Sequence, residues 1–131
     1  MTVDIDSRDL AVLCALACDD KLATDVVVLP VGDVIAVTEF FVVASASNPR
    51  QVRAVTDEVL RRVREDTGRG PLRSEGTGEQ QWVLVDYGDV VVYVFAEETR
   101  RFYEIERLYK DVAAVDWRAA AGSYPRRPLV E

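Results

Sequence analysis

Apolar positions in this chain follow two patterns, one spaced and one continuous. Leu10, Leu13, Cys14 and Ala17 recur at intervals of three and four, which predicts a helix over residues 7–18 with Asp6 or Ser7 as its cap. Two runs, "DVVVLPV" (25–31) and "FFVVASAS" (40–47), are β-branched and do not alternate. Their length and branching predict strands covered on both faces, as in the middle of a helix-flanked sheet, the first broken near Pro30 and by Gly32-Asp33.

Residues 47–68 carry the clearest helix signals. Asn48 is a good N-cap, Pro49 suits the first helical position, Gln51 completes a capping-box-like arrangement, and Gly68 supplies the stop. Val52, Val55, Val59, Leu60 and Val63 form the buried stripe. The outer face holds Arg50, Arg53, Arg61, Arg62 and Arg64, a pattern that could suggest RNA. Asp57 lies four residues from both Arg53 and Arg61, Glu58 precedes Arg62, and Arg62 precedes Asp66. Such pairs largely neutralise the face and favour a solvated helix.

After "GRGPL" come a short strand near Arg73–Glu75, a Gly-rich turn "EGTGEQ" and the hairpin "WVLVDYGDVVVYVF" (82–95). A last helix is predicted over 97–112, with Phe102, Ile105 and Leu108 inward and Tyr103, Glu106 and Arg107 on another side. The tail, 113–131, has no firm period and reads as a loosely attached C-terminal extension of a domain spanning 1–112. The order predicts a single small α/β (α+β) domain, a mixed β-sheet flanked by helices. The 40–47 strand, its helix and the next strand form a crossover of right-handed sense.

Charge narrows the function. Sixteen Lys plus Arg against 23 Asp plus Glu give a net charge of −7, which repels phosphate backbone and attracts basic proteins. Free nucleic acid is therefore not the expected partner. No apolar stretch reaches the roughly 20 residues of a membrane helix, and the acidic N-terminus has no apolar signal core, so a cytoplasmic protein is expected. The chain contains no histidine. Ser-His-Asp and Cys-His sites are thereby excluded, as are the usual His-containing zinc sites. Cys14 and Cys18 share a helix face, too few for a tetrahedral metal shell and poorly directed for a disulfide; they read as small buried thiols.

The hairpin turn is the candidate for chemistry or recognition. Gly88 supplies the positive φ that such turns need. A three-residue loop would set Asp89 opposite Val85 and put Trp82 and Leu84 on one face with Val90 and Val92; a two-residue loop would set Trp82 opposite Tyr93. Either register displays Trp82 and Leu84 near a rim of Asp86 and Asp89. Two carboxylates need at least one further ligand to hold a metal, whereas Asp before Tyr-Gly is ordinary turn chemistry. As a recognition surface, Trp82, Leu84 and Tyr87 beside Asp86 and Asp89 combine aromatic anchors with charge for Lys and Arg. Tyr103 and Glu106 offer a second such pair, and Asp25, Glu39 and Glu75 lie near strand ends where they could extend the acidic rim. The rival is a metal-dependent enzyme using Asp86, Asp89 and Glu75, which the fold implied by a family resemblance would make nucleotidyltransferase-like.

The segments "TDVVVLPV", "TEFFVVASASNPRQVRAVTDEV", "EGTGEQQWVLVDYGDVVVYVF" and "RRFYEIERLYKD" resemble, in order and spacing, the ribosomal silencing factor family, also called Iojap-like proteins. The resemblance covers about residues 8–112. It implies a bacterial, non-enzymatic translational repressor with a nucleotidyltransferase-like fold and no cofactor or metal. Such proteins are homodimers that bind the large ribosomal subunit through its ribosomal protein fourteen, block joining of the small subunit, and act in late large-subunit biogenesis. The family's segments fall on Trp82, Asp86, Tyr87, Gly88, Asp89, Arg101, Phe102, Tyr103 and Glu106. The chain departs from the family pattern at Ala46, where Gly is usual, at Tyr93 in place of His, at Tyr109 in place of Trp, and at Glu39-Phe40-Phe41 in place of Asp-Tyr-Phe.

Overall fold

The computed structural model describes residues 5–32, 38–76, 81–103 and 112–122, the last three of the third segment by backbone alone. Asp6 caps the first helix, α1 (Ser7–Asp20), its carboxylate accepting the Asp9 N–H at 2.8 Å. The helix is more deeply placed than a single stripe implies, because every residue from Leu10 to Cys18 is buried. Ala11, Cys14, Ala15, Ala17 and Cys18 are small enough for neighbours to approach on every side. Both thiols are free, and desolvation, followed by the nearby Asp19 charge, pushes Cys18 up to about 12.

The second helix, α2 (Pro49–Thr67), begins and ends where its signals lie. Asn48 accepts the Gln51 N–H, and Gly68 closes the helix at φ 78 with its N–H on the Arg64 carbonyl. Gln51 does more than close a capping box: its Oε1 accepts the Ser47 N–H at 2.6 Å, and its Nε2 donates to the Lys21 and Leu22 carbonyls at 3.0 Å each. One side chain thus joins the start of α2 to the end of α1. Val52, Val55, Val59 and Val63 are buried as the stripe requires, with Leu60 half-buried. The arginine face is neutralised with altered partners. Arg61 pairs with Glu58 at 2.7 Å and Glu65 at 2.6 Å rather than with Asp57, and Arg62 reaches Asp20 and Glu58. Glu58 is itself buried, and its hydrogen bond from Arg61 holds the carboxyl below its ordinary value against the desolvation that opposes it.

Five strands form one mixed sheet in the order β1-β2-β5-β4-β3: β1 (Thr24–Pro30), β2 (Phe40–Ala46), β3 (Arg73–Gly76), β4 (Trp82–Asp86) and β5 (Val90–Ala96). Only β2 and β5 pair in parallel. The crossover from β2 through α2 therefore reaches β3 at the far edge, with β5 and β4 inserted between. β2 is central and almost wholly buried, as its unbroken apolar run predicts. β1 has the same kind of run but is an edge strand, which corrects its expected place in the middle. Val28 and Leu29 are buried on opposite faces, so the run records two covered faces. Covered faces do not require two neighbours, and Pro30, which has no N–H, sits comfortably at an edge.

The sheet separates two apolar clusters. The larger lies toward α1 and α2 and includes Val28, Val42, Val83, Val85, Tyr87, Val90, Val92 and Val94; the smaller, on the outer face, includes Leu29, Phe41, Val43, Leu84, Val91 and Phe95. After β5 the chain enters α3 (Glu97–Tyr103), anchored by the buried Arg100, which donates to the Asp25 carbonyl at 2.6 Å and Ser45 Oγ at 2.8 Å. Ile105, Glu106 and Leu108 lie outside the described residues.

The segment after 112 is docked where it is described, contrary to the expected loose extension. Val115 donates to the Val28 carbonyl at 2.8 Å, and Asp116 caps α4 (Trp117–Ala121). Trp117 is 6% exposed, with its indole N–H on the Val26 carbonyl at 2.9 Å. Arg118 lies 4.4 Å over that ring and pairs with Asp19 at 3.1 Å. A five-residue helix has no period to read, so only the tertiary contact reveals it. No helix among the described residues is long and apolar enough to cross a membrane. Truncating the Trp117 ring in Trp117→Ala should lower the unfolding free energy by about 3–5 kcal/mol, read from urea midpoints; an unchanged midpoint would mean the tail is dispensable.

Candidate functional site

Register decides what the hairpin displays. Tyr87 N–H donates to the Val90 carbonyl at 2.9 Å, and the strands pair Asp86 with Val91, Leu84 with Tyr93 and Trp82 with Phe95. The loop is therefore the two residues Gly88-Asp89, with Gly88 at φ 96 in the first central position. This corrects both registers considered from the sequence, which centred the turn too early. Against the expected three-residue loop the shift is odd and exchanges faces; against the expected two-residue loop it is even and keeps Trp82 on the face of Tyr93. Trp82 and Leu84 share the outer face with Val91, Tyr93 and Phe95 rather than with Val90 and Val92, and Tyr87 becomes a strand residue pointing at the helices.

Tyr87 is accordingly 2% exposed and belongs to the main core, so it is not a rim aromatic. Its hydroxyl has no hydrogen-bond partner among the described residues, and burial pushes its pKa up. The expected surface phenol is thus a core residue whose ring packs and whose oxygen is stranded.

Both turn carboxylates are engaged internally. Asp86 Oδ1 accepts the Gly88 N–H at 2.8 Å, the ordinary turn role, and Oδ2 accepts from Arg73 Nε at 3.2 Å. Asp89 Oδ2 accepts the Ser7 hydroxyl at 2.7 Å, and Oδ1 pairs with Arg69 at 2.9 Å. Arg69 also donates to the Tyr87 carbonyl at 2.7 Å. Burial would raise the Asp89 carboxyl; the Arg69 and Ser7 hydrogen bonds outweigh it and hold the group below its ordinary value. Nothing in the sequence marked Arg69, a lone cation after a helix stop.

The two ends of β4 differ. Trp82, half-buried, stands at the end opposite the turn, about 13 Å from Asp86 at ordinary strand rise. Ring and carboxylates therefore do not form one rim. Trp82 instead joins an outer aromatic group. Tyr93 meets Phe41 edge-on at 5.4 Å and stacks on Phe95 at 5.9 Å, with Leu84 buried alongside. Tyr93, which the two-residue register sets opposite Trp82, pairs with Leu84 instead, is half-buried there and continues the partly accessible surface begun by Trp82. Of the other predicted residues, Tyr103 ends α3 with its side chain outside the described residues, as is all of Glu106. Glu75 pairs with Arg73, and the Asp25 carbonyl serves Arg100.

For metal chemistry the donor set does not fit. An ion between Asp86 and Asp89 would displace two guanidinium groups, and among the described residues no group of three acidic or thiol side chains converges.

The family model described as "Ribosomal silencing factor during starvation" matches residues 4–127. A ribosomal silencing factor of Bacillus subtilis is 34% identical over 112 residues, covering 86% of this chain and 94% of the relative. A crystal structure of a Chromobacterium violaceum protein superposes with a TM-score of 0.77 at 31% identity, covering 81% of this chain and 88% of that one. A mouse protein named "Mitochondrial assembly of ribosomal large subunit protein 1" is 28% identical over 89 residues, 66% of this chain and 39% of its own length.

Two outcomes follow from the buried Tyr87 and the half-buried Asp89 at the turn. Tyr87→Phe should leave thermal stability unchanged or raise it by up to about 1 kcal/mol, because the stranded hydroxyl contributes only desolvation; a clear loss would reveal a partner for the oxygen. The Asp89 contribution is fully present above the unfolded carboxyl value near 3.8 and disappears as pH falls through the lower folded value. Asp89→Asn should therefore flatten the loss of stability on acidification, measured by denaturant titration at several pH values.

Proposed function

The chain belongs to the ribosomal silencing factor family of ribosome-associated translation regulators, and we propose that it represses translation by binding the large ribosomal subunit through ribosomal protein fourteen and blocking subunit joining. The observation that carries this reading is the family match across residues 4–127, which leaves little of the chain for another role. A part in late large-subunit biogenesis is included, in keeping with the mouse relative's name. The protein acts in the cytoplasm as a homodimer and makes or breaks no bond.

The geometry suggests how it grips. The outer sheet face, with Trp82 and Tyr93 half-buried beside Leu84, supplies ring surface for a partner. Asp86 contributes from the far end of β4. Tyr87 and Asp89 support this face from within and do not touch the partner. The net charge of −7 draws a basic ribosomal protein and discourages indiscriminate rRNA contact. Occupancy alone suffices to exclude the small subunit, so a chain without histidine meets the requirement.

Co-sedimentation with purified large and small subunits tests both the partner and the site. Association with the large subunit alone is expected, and Trp82→Ala should weaken it by about 2 kcal/mol, some 30-fold. A variant with Arg53 and Arg61 both changed to Ala should bind nearly as wild type. Equal binding to small subunits would defeat the reading, and unimpaired binding by Trp82→Ala would remove the outer face from it.

A further inference from the structure

The two edges of the sheet are built differently. β1 is guarded: Pro30 offers no N–H, the strand bulges between Thr24 and Val27 with Asp25 at φ 50, and Val115 bridges to Val28. Among the described residues β3 carries no proline and no bridging segment, and all four residues from Arg73 to Gly76 are exposed. Just before it stands Leu72, 75% exposed.

Hydrogen-bond parity shows which groups point outward. The bonds from Tyr87 N to the Val90 carbonyl and from Ala96 N to the Gln81 carbonyl turn the odd-numbered residues of β4 toward β5. Leu84 and Asp86 therefore face β3, where they oppose Glu75 and Arg73. The amide and carbonyl of Ser74 are left facing the free edge.

We propose that two copies of this chain pair antiparallel through β3 about a two-fold axis at Ser74, continuing one sheet across both. The proposal rests on the homodimer reading above and names its interface. In this register each Ser74 exchanges two backbone hydrogen bonds with the Ser74 of the partner subunit. Arg73 comes opposite the partner's Glu75, and Glu75 opposite the partner's Arg73, at the positions where cross-strand side chains approach most closely. The edge is thus complementary in charge to itself. Leu72 stays outside the shared ladder, its N–H being on the Asp86 carbonyl of its own chain at 2.8 Å. Among the described residues no helix blocks the approach: α2 packs over β2, β5 and β4, and a groove of about 270 Å³, lined by Arg53, Asp57, Leu60 and Ser74 among others, separates it from β3. So short an edge makes a weak, concentration-dependent dimer, readily exchanged for another partner.

Sedimentation velocity over the micromolar range tests this. Arg73→Glu and Glu75→Arg each place like charges opposite one another, and each should raise the dimer dissociation constant at least about tenfold. Mixing the two variants in equal amounts should restore the dimer, because every cross-strand pair is then of opposite sign. Independently, Ser74→Cys should link two copies under mild oxidation, Cys14 and Cys18 being buried. A wild-type protein that stays monomeric at high concentration defeats both the homodimer reading and this interface. A wild-type dimer that survives both charge variants, or that Ser74→Cys fails to link, overturns the β3 interface alone. The ribosome reading is tested separately, by the Trp82→Ala sedimentation.

Discussion

One residue at the hairpin tip holds four parts of the chain in register. The Asp89 carboxylate accepts from Ser7 at the start of α1 and from Arg69 just after α2. Its carbonyl accepts the Glu39 and Phe40 N–H groups at 2.9 and 3.1 Å, where β2 begins. The same residue forms half of the turn that aligns β4 with β5. Once that turn is centred on Gly88-Asp89, strand alternation leaves no freedom: Tyr87 enters the core and Trp82 and Leu84 face out. The second apolar cluster, with Trp82 and Tyr93 at its partly accessible margin, has its composition because this turn sits where it does.

Charge in this protein serves two purposes. Close at hand it is spent in pairs. Asp86 with Arg73, Asp89 with Arg69 and Asp20 with Arg62 each hold backbone segments together. At a distance the surplus of acid remains, and long-range attraction to a basic surface depends on that surplus and not on any one carboxylate. On the proposed function, the field brings the partner near, and the rings around Trp82 and Tyr93 supply the desolvated contact. Complementary charge of this kind governs rate and selectivity more than final affinity. The two edges of the sheet divide labour in a similar way, β1 closed by proline, bulge and bridge, and β3 open.

Much of the fold was legible because the signals were local. Asn48, Pro49 and Gly68 bound α2, Asp6 caps α1, and the apolar run of β2 identifies a buried strand, each through interactions within a few residues. The buried cysteines followed from size and hydrophobicity. The candidate site was less legible, because its register is set by distant contacts. Trp82 and Leu84 share one face, as either register predicts; Tyr93 joins them as the two-residue loop implies, Val90 and Val92 do not as the three-residue loop would have it, and Tyr87 is a core residue rather than a surface ring. The sequence "DYGD" admits several turns of similar local energy. What selects among them is the long-range pairing of Asp89 with Ser7, Arg69 and β2.

Sequence alone, then, determined the elements, the mixed sheet and the acidic character, since helix caps, side-chain spacing and net charge are properties of short stretches or of simple counts. Tertiary structure alone decided that β1 lies at an edge, that the segment around Trp117 is docked, and which hairpin residues join each of the two apolar clusters. These depend on which distant groups satisfy one another's hydrogen bonds and cover one another's apolar surface. That choice is made by the folded chain as a whole and leaves no periodic mark along it.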